Sequence, residues 1–334
     1  MSEHAFESGR ARVLAGPATQ QPQRSSRRWL VAAAVLGVLT LGTVSALNLG
    51  GTAPAANAEA VAVLTSAADV TTSAEHAPVG PGQYRYVKTV ESKWMGVVLN
   101  GASDANCWFR RERTEETWIP ADWKQEWLRR VTLTEPLETR SCTKDQAVNA
   151  PFASTEITPW EARAKQGDFP QPKSRPGPGI KPADPTKSLG TQPKRDEELP
   201  PTLYRPTPEY LAKLPRDPQQ LFVLLRDSTC LAEACALHAA RSALDTGLIP
   251  DDLRAAMYRA LTKIPGTTVG DRQANLGGRV GTAIRVTEPD RTLDLIIDPK
   301  TGDYIGARTV LNGEVQDFSS VVTGVTGAIG TAPR

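Results

Sequence analysis

From Trp29 to Leu49 no residue carries a charge. As a helix rising 1.5 Å per residue, about 20 such residues cross a hydrocarbon core of about 30 Å. Arg24, Arg27 and Arg28 stand on its N-terminal side, and no Lys or Arg follows until Arg85. That asymmetry holds the arm 1–28 inside and places the chain beyond Gly50 outside. A rival reading comes from "AANA", where Ala56 and Ala58 frame Asn57 in the small-x-small pattern of a signal-peptidase site, with cleavage after Ala58. The length of the run and its distance from Met1 favour an anchor over a signal segment of about 7 to 15 apolar residues. Either reading sends the remainder out of the cytoplasm.

Beyond the span the apolar period changes several times. "EAVAVLTSAADVTT" sets Val61, Leu64, Ala67 and Ala68 on one helical stripe, and the region 50–80 is expected to hold a short helix and a linker. "YRYVKTVE" alternates, with Tyr84, Tyr86, Lys88 and Val90 on one face and Arg85, Val87 and Thr89 on the other. "NCWFRRERTEETWI" and "QEWLRRVTLTEPLETRSC" continue in strand style, dense in Arg and Glu that would pair across neighbouring strands. Residues 81–168 are therefore predicted as a first sheet region of about four strands.

The stretch 169–208 has proline every few residues and few large apolar groups. Proline fixes φ and withdraws a backbone donor, so this stretch reads as an extended linker or insertion. The segment 209–265 returns to helical spacing. Asp217 is placed to cap a helix whose first residue is Pro218, Gly247 is placed to end a second, and Pro250 with two acidic residues opens a third. Residues 266–323 read as a meander of four strands before a tail, 324–334. Asp298 to Gly302 closes one hairpin, and Asn312-Gly313 closes another as a type I′ turn with Leu311 facing Glu314.

The quoted segments "PGQYRYVKT", "ETWIPAD", "LRAAMYRALTKIPG", "GGRVGTAIRV" and "LDLIIDPKTGDYIGARTV", in that order behind an anchor and an Ala-rich helix, resemble a family of actinobacterial single-pass membrane proteins of unknown function, often encoded beside sigma factors. The plan is also similar to the half-barrel of lipoprotein carriers and of regulators of envelope-stress anti-sigma factors. The resemblance implies an α+β fold: a curved, half-barrel-like antiparallel sheet with packed helices, preceded by one N-terminal transmembrane helix. On that likeness the concave face would receive an apolar ligand or a protein partner. Tyr84, Tyr86, Trp108, Trp118 and Trp127 would supply its aromatic lining.

Composition narrows the chemistry. With 40% hydrophobic and 23% charged residues the chain can bury a core, and a formal net charge of +2 that includes the basic arm leaves no basic field for nucleic acid. The four cysteines, Cys107, Cys142, Cys230 and Cys235, are an even number outside the cytoplasm, where thiols oxidise. Local pairing joins Cys107 to Cys142 and Cys230 to Cys235. A metal site from Cys230, Cys235 and His238 lacks an obvious fourth ligand. His76 and His238 are the histidines left beyond the span; neither is near a nucleophile motif, His76 sits in a Gly/Pro-rich loop, and His238 on its Ala-rich helix has no evident orienting carboxylate. "GGRVG" and "DPKTGD" read as turns rather than as nucleotide or calcium loops.

These features lead to the expectation of a membrane-anchored, extracytoplasmic binding or sensing module. It would act without catalysis, cofactor or metal, through a lipid or an envelope protein. A regulator working with a sigma factor is the alternative, and a secreted enzyme or metal-binding protein the third.

Overall fold

A computed structural model of the chain describes residues 55–73, 78–99, 106–148, 159–169, 200–227 and 234–333. The predicted arm 1–28, the span 29–49 and most of the Pro-rich stretch lie outside them. Among the described residues no helix is long and apolar enough to cross a membrane.

The first helix, α1 (Ala58–Ser73), starts at Asn57, whose Oδ1 accepts from Glu59 N at 2.8 Å and whose own N–H donates to the Thr267 carbonyl at 2.8 Å. Its stripe of Ala60, Leu64, Ala67, Ala68 and Thr71 is buried, as the spacing of its apolar positions requires. Strands β1 (Tyr84–Val97), β2 (Cys107–Pro120), β3 (Glu126–Leu133), β4 (Glu138–Arg140) and β5 (Trp160–Lys165) form the first sheet region, with a one-turn helix, α2 (Lys144–Val148), between the last two. Four helices follow: α3 (Pro208–Lys213), α4 (Pro218–Asp227), α5 (Cys235–Asp245) and α6 (Asp251–Leu261). Asp217 caps α4 as expected, its Oδ1 accepting from Gln220 N at 2.8 Å, and Gly247 ends the α5 turn at φ 64°.

The C-terminal meander has five strands rather than four: β6 (Thr268–Leu276), β7 (Arg279–Thr287), β8 (Arg291–Ile297), β9 (Tyr304–Leu311) and β10 (Glu314–Thr326). Strand β6 escapes the alternation rule because its pairing with β7 shifts register twice, between Val269 and Asp271 and again before Ala274. Irregular pairing moves residues off the period of two from which strands are recognised. The Asn312-Gly313 turn is as expected, with φ 52° and 82° and Leu311 opposite Glu314.

All ten strands belong to one curved antiparallel sheet, in the order β5-β3-β2-β1-β10-β9-β8-β7-β6, with β4 beside β2. The two sheet regions join where β1 pairs with β10, from Tyr84 opposite Thr326 to Lys93 opposite Asp317. Helices α1 and α3 to α6 cover one face, and their buried side chains form one cluster with Val87, Ile119, Trp127, Ile284, Leu295 and Val321 of the sheet. Phe169 and Leu203, from the ends of the Pro-rich stretch, join that core. The opposite face carries smaller clusters, one around Ile296, Ile305 and Phe318 and another around Tyr86, Trp118 and Leu128.

Two local devices fix this arrangement. The carbonyl of Gly302, in the β8–β9 turn, accepts from Thr71 Oγ1 of α1 at 3.1 Å and from Tyr258 Oη of α6 at 3.0 Å. Gly302 has φ 72°, and a Cβ there would lie 2.7 Å from the Ala67 carbonyl oxygen. A disulfide joins Cys107, at the start of β2, to Cys142, just past β4, across 35 residues. Cys235 is also disulfide-bonded, and its predicted partner Cys230 lies outside the described residues.

Two outcomes are expected. Gly302→Ala should lower stability by roughly 1–3 kcal/mol through backbone strain and the clash with α1, read as a lower urea midpoint at unchanged slope. Replacing Cys107 and Cys142 together by Ser should cost about 3–4 kcal/mol on the loop-entropy estimate; an unchanged midpoint would show that the bridge constrains nothing the fold does not already hold.

Candidate functional site

The five aromatics expected to line a ligand surface do not share a face. The β1–β2 register sets Tyr86 opposite Trp118, and with Tyr84 and Trp108 these lie on the side of the sheet away from the helices. Trp127 points to the helical side, where its Nε1 donates to the Trp123 carbonyl at 2.9 Å and its ring meets that of Trp123 edge-on at 5.2 Å. Trp118 is fully buried: it packs 5.3 Å from the Tyr86 ring, carries the Arg130 guanidinium on its face, and donates from Nε1 to the Thr331 carbonyl of the C-terminal tail at 2.8 Å. Tyr86 donates to Glu116 at 2.6 Å, and burial together with that bond raises its phenol well above the usual range. Trp108 is the one of the five that is exposed.

His238 has a carboxylate after all. Its Nε2 lies 3.0 Å from Glu288 Oε1, in the turn between β7 and β8, and Glu288 also meets Arg291 at 3.3 Å. The histidine of the pair is well exposed to solvent. The Cys230–Cys235–His238 metal reading fails on Cys235, since a disulfide sulfur has no thiolate to offer. Among the described residues no group of three or more His, Cys, Asp or Glu is placed to hold a metal ion.

Two charged networks serve the sheet itself. On the outer face Asp294, fully buried, receives both nitrogens of Arg285 at 2.6 and 2.8 Å and Arg308 Nε at 2.8 Å. Under α5, Asp245 accepts from Tyr304 Oη at 2.7 Å and Ser319 Oγ at 2.9 Å, while Arg241 bridges to Asp317 at 2.8 Å. Burial raises the Asp245 carboxyl, and Arg241, Tyr304 and Ser319 offset part of that rise. Both clusters satisfy their own hydrogen bonds, so they read as fasteners between elements rather than as sites open to a ligand.

A cleft of about 380 Å³ is different. It opens at one end of the helical layer, where β1 begins and β2 turns into β3. Trp123, Pro120 and Ala121 of that turn form one wall, Leu211 and Ala212 of α3 a second, and Leu248 and Pro250 of the α5–α6 loop a third, with Pro78 and Val79 at the rim. Gly247 lets that loop lie against the sheet, since a Cβ there would come 2.6 Å from a Val87 methyl. Thr207 caps α3, its Oγ1 accepting from Tyr210 N at 3.2 Å. Arg216 holds the end of α3 to the start of α6, donating to the Leu211 and Leu214 carbonyls at 2.7 and 2.8 Å and to Asp252 at 2.8 Å.

Arg85 of β1 also lines the cleft. It stands on the helix-facing side of the strand, next to Val87, and makes no hydrogen bond or ion pair to any described residue. Burial pushes its guanidinium below the usual arginine range; attraction to Asp251 offsets part of this and repulsion from Arg254 adds to it. Asp251 itself is bonded to Arg254 at 2.8 Å. Arg85 was legible in the alternation as an arginine on the Val87 face, but nothing in sequence said that the surrounding face would be walled by loops and prolines rather than filled. Comparison with protein-family models, curated proteins and solved structures gives no match to the chain.

The contrast between Trp118 and His238 is measurable. Trp118→Ala should cost about 3–5 kcal/mol of stability, and His238→Ala less than about 1 kcal/mol, as for a solvent-exposed pair. Chemical denaturation of both variants beside the parent checks this; equal losses would mean that the α5–Glu288 contact, not the aromatic packing under the tail, carries the weight.

Proposed function

We propose that the chain is a membrane-tethered, extracytoplasmic binding module that acts without catalysis, and that its ligand site is the cleft around Arg85. The observation that carries this reading is the character of the cleft wall. Its volume falls within the range of about 300–1,000 Å³ usual for small-molecule sites, and its described lining is proline, aliphatic and aromatic apart from two guanidiniums. Arginine keeps its proton at any working pH, so such a wall binds and orients but moves no proton.

The location rests on the sequence: a charge-free run, 29–49, behind a basic flank, with the folded region following on the outer side. Resemblance to actinobacterial single-pass membrane proteins agrees with it. The curved antiparallel sheet with helices on one face is in keeping with the likeness to half-barrel carriers, whose helix-bearing side would be the receiving one. Trp127 and its neighbour Trp123 then belong to the binding side, while Tyr84, Tyr86, Trp108 and Trp118 belong to the opposite one.

The test has two arms. Protease added to spheroplasts should digest the chain beyond Gly50 and spare the arm, whereas a released protein beginning at Glu59 would replace the anchor by a cleaved signal. In purified full-length chain held in lipid nanodiscs, Ala212→Trp, at an exposed position of the cleft wall, should fill the cleft and abolish binding of small apolar compounds while the melting temperature holds. Binding that survives a filled cleft would remove this site from the proposal.

A further inference from the structure

Among the described residues two guanidiniums, those of Arg85 and Arg216, line the cleft. Arg216 is committed to Asp252 and two carbonyls, and Arg254 to Asp251. Among the described residues Arg85 has neither a hydrogen bond nor an ion pair, and the wall in front of it is apolar. We propose that the cleft takes a small amphipathic monoanion, a carboxylate with an apolar body, whose charged end meets Arg85 while its body lies against Trp123, Leu211 and Leu248.

The inference rests on the binding-module reading and narrows it to a class of ligand. Among the described lining residues one cation has no ion-pair partner, and one negative charge balances it. A phosphate monoester would bring nearly two, and the second guanidinium that it needs is already held in place by Asp252 and the α3 carbonyls. A neutral apolar compound would fill the volume and leave Arg85 desolvated with nothing in return. A carboxylate repays that cost, because a planar guanidinium presents two parallel N–H groups to two carboxylate oxygens in a charge-assisted pair that gains strength as water is excluded. The body of such a ligand is limited by the cleft: about 380 Å³ holds a short alkyl or aryl acid and not a two-chain lipid.

The experiment compares octanoate with octanamide, which has the same chain and no charge, by titration calorimetry of the full-length protein in nanodiscs, with empty nanodiscs as the blank. The parent should bind octanoate at least about tenfold more tightly than octanamide, as expected of a charge-assisted pair. In Arg85→Gln the two affinities should converge on that of the amide, and Arg85→Lys should keep part of the preference. Acid and amide binding equally well to the parent would overturn the anion assignment and leave the binding module standing. Binding of neither would overturn both. The acid-to-amide comparison in the parent decides the matter even where Arg85→Gln fails to fold.

Discussion

The pairing of β1 with β10 is the contact on which the rest of the architecture depends. It runs unbroken from Tyr84–Thr326 to Lys93–Asp317 and welds two sheet regions that are distant in sequence. Without it β2, β3 and β5 would hang as a separate ribbon from the C-terminal meander. With it the helices gain one continuous surface, and a single core takes residues from α1, α3 to α6 and both halves of the sheet. A ladder between segments so far apart carries a large loop-closure cost before any contact forms, so this junction belongs among the late and slow steps of folding. It also sets the cleft: Arg85 and Val87 sit at the β10-paired end of β1, where the α5–α6 loop comes down on them.

Much of this architecture was readable from patterns local to a few residues. The stripe of α1, the two faces of β1, the Asp217 cap and the Asn312-Gly313 turn each depend on chemistry within one element, and each stands where the pattern put it. What escaped depends on tertiary context. Strand β5 has only Trp160, Ala162 and Ala164 to mark its inner face, too little apolar surface to declare a strand until β3 is beside it. Strand β6 is bulged twice. The ends of the Pro-rich stretch contribute Phe169 and Leu203 to the core, because a single large side chain can dock wherever a neighbouring element leaves space.

The candidate site was less legible than the fold, for a related reason. Aromatic content alone does not say which side of a strand will be covered, and by what. Tyr86 and Trp118 lie on the opposite face, where Glu116 satisfies Tyr86 and the C-terminal tail's Thr331 satisfies Trp118. The cleft, in contrast, draws its wall from five separated segments, none of which bears a motif. A site assembled this way leaves no local signature beyond its one unusual residue.

That residue is best judged against the other buried charges of the same protein. Asp294 is fully buried and receives three hydrogen bonds from two arginines; Asp245 is surrounded by a tyrosine, a serine and an arginine. At these two carboxylates the fold supplies partners for the charge that it removes from water. At Arg85 the described residues do not: burial acts on the guanidinium, and the carboxylate that attracts it is bonded to Arg254. A leucine or methionine at that position would cover the same sheet face without the desolvation cost. A cation held there with no hydrogen bond or ion pair among the described residues, at the mouth of an apolar cleft, is a local departure of the kind that concentrates where a structure is arranged for something outside itself.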